Sequence, residues 1–450
     1  MKKLFGLLLL TILLSCQNQE KASIDLLIVN ATILDVENGT ATPDQMIGIM
    51  GDTIRIVSSN TEQKSFQAKK TLDAKGGFVM PGLWDNHVHF RGGEALIDEN
   101  KALLNQFLSY GVTTVRDAGG DLTPTLLRWK KEILQNQLDG PDIFLSGPKL
   151  DGVHPTWEGS IELQDPSEVA DAIDSLRTLE VDFVKIYDSK LATDTYYEII
   201  KQTEKRGYNV TGHMPMNAEI MKAFDLGLDG IEHLYYLLAE GNENADSLRN
   251  LNKGYGILNQ LVDGYNPALA QPSFEKLATR DFYVTPTLHI GEVLLQLYDT
   301  DHASDSLLQF IGAGIQKTYE RRARQAKGRS DAGQQARNQL RNTFSSMVLP
   351  LQNAGVIILA GSDCGAYNSY VYPGASLIEE LKALVEVGLA PQQAIGSSII
   401  NGPRFFGLEE YYGSIEVKKV ANMIILTNNP LENINAFDNI HTVIKGTKIY

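Results

Sequence analysis

Two histidines, His87 and His89, close the apolar run LWDNHVHF at residues 83–90. Residues i and i+2 of a strand share a face, so both imidazoles point the same way. Two imidazoles turned into a crowded interior are costly unless something binds them. A metal ion does this, and imidazole nitrogen with carboxylate oxygen suits zinc as well as manganese, cobalt or iron. Alone the pair is a weak signal, because two histidines can also be satisfied structurally by hydrogen bonds. Other residues at the ends of apolar runs change the balance: His213 in YNVTGHM, His233 in DGIEHLY and Asp363 in VIILAGSDC. The chain has eight histidines, and half of them fall at such ends.

Lys185, inside FVKIY, is destabilised as a cation because burial favours the neutral amine. It can pair with an acid, snorkel outward or react while neutral. Uptake of carbon dioxide would make it a carbamate anion able to bridge two metals. Asp85 shares the histidine face but lies deeper, where orienting a histidine is the better reading than binding metal. Glu232 precedes His233 and is expected to point away from the interior as a structural residue. Cys364 adjoins Asp363 and reads as packing rather than as a nucleophile. His302 and His441 read as surface residues.

These residues need a scaffold that brings distant segments together. Apolar runs at 83–90, 112–119, 143–148, 183–187, 208–214, 229–235, 282–288 and 356–364 read as strands. Helical stretches such as EVADAIDSLRTLE and TDTYYEIIKQTEKRG separate them, with Gly207 placed where a helix stops. Strand–helix alternation repeated eight times predicts a (β/α)8 TIM barrel, whose chemistry sits at the C-terminal strand ends. The excess length lies in two insertions, about 236–280 and 289–355. The second holds the charged stretch QKTYERRARQAKGRSDAGQQARNQLRNTF, read as a solvated helical excursion, with a lid over the barrel mouth as the alternative. Short β-like runs punctuated by Gly and Asp fill 25–80 and return near the C-terminus, predicting one small β-domain shared by both chain ends. The expected divisions are a signal peptide at 1–15, a tether at 16–23, the β-domain at 24–78 and 404–450, and the barrel at 79–403.

Composition bounds the partners. The 450 residues are 43% hydrophobic and 21% charged, with a formal net charge of -15. That charge argues against nucleic acid, which needs clustered Lys and Arg, and against electrostatic docking on anionic lipid. The N-terminus, MKKLFGLLLLTILLSC, has a basic start and an apolar run too short to span a bilayer. LLSC is similar to the lipobox of a bacterial lipoprotein signal. That likeness implies cleavage before Cys16, its acylation, and a lipid anchor in the cell envelope as the sole membrane attachment. With Cys16 acylated, Cys364 is left alone and no disulfide forms within the chain.

Taken together, VMPGLWDNHVH, GVTTVRDAGG, DFVKIY, VTGHM, DGIEH, LAGSD and GSIEVKKVANMIILTNNPLENI resemble the amidohydrolase superfamily. The likeness is greatest to its Xaa-Pro dipeptidase (prolidase-like) and imidazolonepropionase-related branch. The resemblance implies a distorted (β/α)8 barrel with a small β-sandwich made from both chain ends, and two divalent metals, with His87 and His89 on the buried one, His213 and His233 on the second, and carboxylated Lys185 between them. Asp363 would touch the first metal and act as general base, then acid, for a bridging hydroxide attacking an amide. His233 or Tyr235 would support the oxyanion. Arg116, His154, Trp157 and His289 are candidate substrate contacts, the first three for a substrate carboxylate or ring. Deaminases and imidazolonepropionase carry a glutamate three residues after the strand-5 histidine, where this chain has Met216. The expected substrate is a dipeptide, N-acyl amino acid or cyclic amide. A mononuclear hydrolase or lactonase, and a binding lipoprotein without catalysis, are the alternatives.

Overall fold

The computed structural model describes residues 22–450. The expected signal peptide, Cys16 and most of the tether lie outside the described residues. Ala22 and Ser23 do not hang free, since they begin a long strand, Ala22–Asp35, that pairs in parallel with Phe66–Asp73.

Eight parallel strands form the core. They are β1 (Leu83–His89), β2 (Val112–Asp117), β3 (Asp142–Leu145), β4 (Val184–Ile186), β5 (Val210–Gly212), β6 (Gly230–Glu232), β7 (Tyr283–Thr285) and β8 (Ile357–Ile358). Each overlaps one of the runs read as strands from the sequence, β3 beginning one residue early at Asp142. All seven residues of β1 are buried, as expected for a strand covered on both faces. β1 to β3 pair consecutively, as do β4 to β8. The seams close through the short strand Leu150–Asp151, which pairs with β4, and through Cys364–Gly365, which pairs with β1. Helices between the strands pack outside, and their apolar faces and the barrel interior form one continuous core.

The strands of both chain ends form a single sheet. Its order runs Lys448–Ile449, Ile440–Lys445, Asn422–Leu426, Phe78–Pro81, Ala22–Asp35, Thr40–Met50, Thr53–Ser59. The sheet curls until Thr53 bridges Val420, enclosing its own core of Leu26, Ile28, Ile47, Ile49, Met423 and Ile425. Among the described residues no helix is long and apolar enough to cross a membrane.

The second insertion departs from the expected solvated excursion. It forms the helices Ala313–Lys327 and Asp331–Ala354. Arg322 of the first lines a cavity with His87, His89 and Asp363, so this insertion covers the barrel mouth.

Candidate metal centre

The site is built at the C-terminal ends of β1, β4, β5, β6 and β8. His87 Nδ1 lies 2.6 Å from Glu232 Oε2, and His89 Nδ1 lies 2.8 Å from the Gly119 carbonyl oxygen. Burial alone would raise the Glu232 carboxyl, but Arg116, Lys185 and His87 hold it well below its usual range. It is a carboxylate, and a carbonyl oxygen only accepts, so both Nδ1 atoms carry the proton. Burial holds both imidazoles neutral. Each Nε2 is therefore an unprotonated lone pair. The two Nε2 atoms are 3.2 Å apart and lie 3.5 Å and 3.1 Å from Asp363 Oδ1. Three electron-pair donors converge with no proton between them. That arrangement is repulsive by itself and fits a cation, and the three residues form a buried group of metal-ligating spacing.

The remaining donors face these from across the barrel. β6 ends at Glu232, and His233 follows with φ 66°. This left-handed turn swings the imidazole inward beside a residue that already points inward. It places His233 Nε2 3.9 Å from Asp363 Oδ2, and Nδ1 2.6 Å from Thr287 Oγ1. His213 follows Gly212, where a Cβ would collide with the Ile186 carbonyl, so only glycine lets β5 approach β4 this closely. The His213 ring lies on Tyr187, with centroids 4.3 Å apart. Its Nδ1 is 3.3 Å from Asp188 Oδ1 but poorly aligned, and it has no hydrogen bond. Lys185 Nζ is also buried without a hydrogen bond, 3.6 Å from Glu232 Oε1. Burial pushes its pKa down to about 8, against the pull of Glu232. A buried, unbonded amine with an accessible neutral form fits carboxylation, and a carbamate there would supply the oxygen ligands that a second cation beside His213 and His233 needs.

Several expectations need correction. Glu232 points into the barrel and orients His87, because alternation ends with β6 and His233 turns left-handed. Asp85 touches no imidazole. It accepts from Ser362 N at 2.9 Å and Ser362 Oγ at 2.6 Å, tying β1 to the loop that carries Asp363. Arg116 does not reach the cavity, for its guanidinium bonds the Asn86 carbonyl at 2.5 Å, Glu232 at 2.9 Å and Thr285 at 3.2 Å. His289 sits on the helix Leu288–Gln296 in an outer groove with Glu292, Arg341 and Lys382. His154 is exposed in its loop at φ 57°. Trp157 does line the cavity, and Tyr235 packs edge-on to His233 at 6.1 Å and to Phe344 at 5.0 Å. His302 is more than a surface residue, since it stacks on Tyr370 with centroids 4.5 Å apart.

The cavity has further walls that sequence reading did not single out: Arg91, Lys149, Tyr187, Arg322 and Asn368. Two carried a signal, because Arg91 follows His89 by two residues and Tyr187 follows Lys185 by two. Asn368 Nδ2 donates to Asp363 Oδ1 at 2.7 Å and also bonds the Asp363 carbonyl, fixing that carboxylate.

Comparison with known proteins follows this geometry. The imidazolonepropionase of Bacillus cereus (strain G9842) is 28% identical over a stretch covering 22% of this chain and 31% of that protein, so the chain spans under a third of that relative's length. A solved Xaa-Pro dipeptidase with bound methionine in the active site superposes with a TM-score of 0.67 at 19% identity, covering 94% of this chain and 99% of that one. The A. niger ochratoxinase structure gives 0.66 at 18% identity, covering 94% and 95%. These two likenesses concern the fold, a TIM-barrel-like core with a separate β domain. A model of the amidohydrolase family matches residues 78–449, which takes in every strand-end residue of the site, and the chain belongs to that family.

Proposed function

We propose that this chain is a metal-dependent hydrolase that cleaves an amide C–N bond in a small substrate: a dipeptide, an N-acyl amino acid or a cyclic amide. The observation that carries the reading is the convergence of His87 Nε2, His89 Nε2 and Asp363 Oδ1 with no proton between them. Two divalent ions, zinc or else manganese, cobalt or iron, would be held by His87, His89 and Asp363 on one side and His213 and His233 on the other. Lys185, as a carbamate, would join the two. Such ions lower the pKa of water to near neutrality and polarise a carbonyl. The chain's own groups do the rest. Asn368 donates to Asp363 Oδ1, the oxygen that faces the two imidazoles, leaving Oδ2 to take a proton from the attacking water and return it to the leaving nitrogen. Trp157 and Tyr187 wall the cavity and limit bulk water there. Met216 is buried in the core and puts no acid where a deaminase would need one. The fold shared with a Xaa-Pro dipeptidase supports a dipeptide-sized substrate.

A mononuclear reading draws on one observation: the buried ligand group holds His87, His89 and Asp363 alone, while His213 Nδ1 sits by Asp188. Metal analysis after zinc or manganese loading separates the two. About two ions per chain are expected, falling to one in Lys185→Ala with loss of most activity. A Lys185→Ala chain that kept both ions and its activity would sink the bridging carbamate. We also propose lipid attachment at Cys16, supported by the LLSC motif. Mass spectrometry of the membrane-bound protein should find acylation there, and a Cys16→Ser chain that still fractionates with membranes would refute it.

A further inference from the structure

Arg322 lines the cavity above His87, His89 and Asp363, yet it forms no ion pair and no side-chain hydrogen bond with any described residue. Its position is set by its helix, Ala313–Lys327. Glu99 accepts from Gly314 N at 2.9 Å and Ile315 N at 2.7 Å at the start of that helix. Thr318 Oγ1 accepts from Tyr367 N, and the Tyr319 carbonyl from Ser369 Oγ, both at 2.7 Å. The backbone that carries the guanidinium is therefore fixed at the barrel mouth.

Two more cations share that cavity. Arg91 lies 3.9 Å over the Trp157 ring and donates to the Ala366 carbonyl at 2.8 Å and Asn368 Oδ1 at 3.1 Å. Lys149 Nζ donates to the Gly119 carbonyl at 2.8 Å. All these acceptors are neutral. The sole carboxylate among the cavity-lining residues is Asp363, which already faces the histidines. Asp117 and Asp151 act on Lys149, Asp363 and Asp117 on Arg91, and the carboxylate acting on Arg322 is again Asp363. A substrate with one carboxylate would satisfy one guanidinium and leave the other, buried at Arg91 or half-buried at Arg322, without a counter-charge, at a cost that grows with burial.

Resting on the hydrolase reading for where the substrate sits, we infer that the substrate is doubly anionic: an amide of an acidic amino acid, with one carboxylate at Arg91 and the second at Arg322. The inserted helix is then the element that selects substrates by charge.

Titration calorimetry on the zinc-loaded chain tests this with N-acetylglutamate, N-acetylglutamine and N-acetylleucine. Wild type should bind N-acetylglutamate at least about tenfold more tightly than the other two, the difference that one charge-assisted hydrogen-bonded pair supplies. Arg322→Gln should erase that preference and Arg322→Lys should keep part of it. Arg324→Gln, altering an exposed residue of the same helix paired with Glu320, should keep all of it. Melting curves identify any variant that fails to fold. Equal binding of the three ligands by wild type, or a preference that survives Arg322→Gln, overturns the inference. Binding preference without hydrolysis of glycylglutamate or any other amide leaves the dianion site standing and removes the hydrolase reading. Equal hydrolysis of neutral and acidic dipeptides does the reverse.

Discussion

The two halves of the centre are held differently. On the β1 and β8 side every ligand is oriented from behind: His87 by Glu232, His89 by the Gly119 carbonyl, Asp363 by Asn368. On the β4, β5 and β6 side only His233 has such a partner, Thr287, while Lys185 Nζ and His213 Nδ1 make no hydrogen bond. Partners that fix a ring's orientation and tautomer raise metal affinity. The first half is thus prepared by the fold, whereas the second, on the proposed reading, awaits the carbamate of Lys185. The difference predicts stepwise metal loading, with the β1 side filled first.

The largest effect should come from the prepared half. Asp363→Asn keeps a side chain of the same shape but removes the carboxylate proposed to take and return a proton. Turnover should fall about a thousandfold or more, with the metal content of the β1 side retained. An Asp363→Asn variant that kept its turnover would remove Asp363 from the proton-transfer role.

Glu232→Gln comes next. It leaves Arg116, buried and 2.9 Å away, without its anion, and weakens the hold on His87. Metal affinity on the β1 side should drop about 10- to 100-fold, and stability should fall by about 3 kcal/mol or more. Competition with a metal chelator and a denaturant titration read the two effects separately. If the variant instead lost metal from the His213 side alone, the contrast between the halves would be wrong.

Much of this contrast could be read in the sequence, and the reasons it could not all be read are physical. His87, His89, Lys185, His213, His233 and Asp363 stand where a period of two, or the end of an apolar run, puts side chains toward the barrel axis. The groups that hold them break those rules. Glu232 and His233 both point inward because φ 66° at His233 ends the alternation. Asp363 has φ 58°, so its orientation depends on a loop tied by Asp85 rather than on strand geometry. Arg322 belongs to an insertion whose charged sequence looks solvated, and only tertiary packing turns that one residue inward. Arg116 was legible as inward-facing, but not as already engaged by Glu232. The strands of the terminal domain were visible at both ends because a hairpin such as Thr40–Met50 with Thr53–Ser59 is local, whereas the single curled sheet depends on long-range pairs such as Asn422–Leu426 with Phe78–Pro81.

Thr287 bears on the weaker half. It is β-branched and sits at φ 51°, a costly conformation that persists only where its surroundings impose it. Its hydroxyl is the one hydrogen-bond partner of His233 Nδ1. Thr287→Val should weaken metal binding on the His213 side about tenfold while sparing the β1 side, and Thr287→Ser should restore it. A loss shared equally by both sides, or no rescue by serine, would show that Thr287 acts on the fold as a whole.

The smallest change in turnover should follow Glu380→Gln, which reaches that half from outside. The Glu380 carboxyl accepts from Leu288 N at 3.0 Å and His289 N at 2.7 Å, fixing the chain just after Thr287. Burial pushes its pKa up to about 7 despite those bonds. The folded state therefore keeps a proton that the unfolded chain releases near pH 4.5. The associated stability is fully present below that pH and is lost as pH rises through about 7, a term on the order of 3 kcal/mol. Subtracting the Glu380→Gln stability curve from the wild-type one should leave that decline between about pH 4.5 and 7, with catalysis nearly unmoved. A flat difference would mean that Glu380 titrates as an ordinary carboxylate. The two amides it joins would then be held by hydrogen bonds alone, and the weaker half of the centre would owe its one ordered ligand to Thr287 without help from behind.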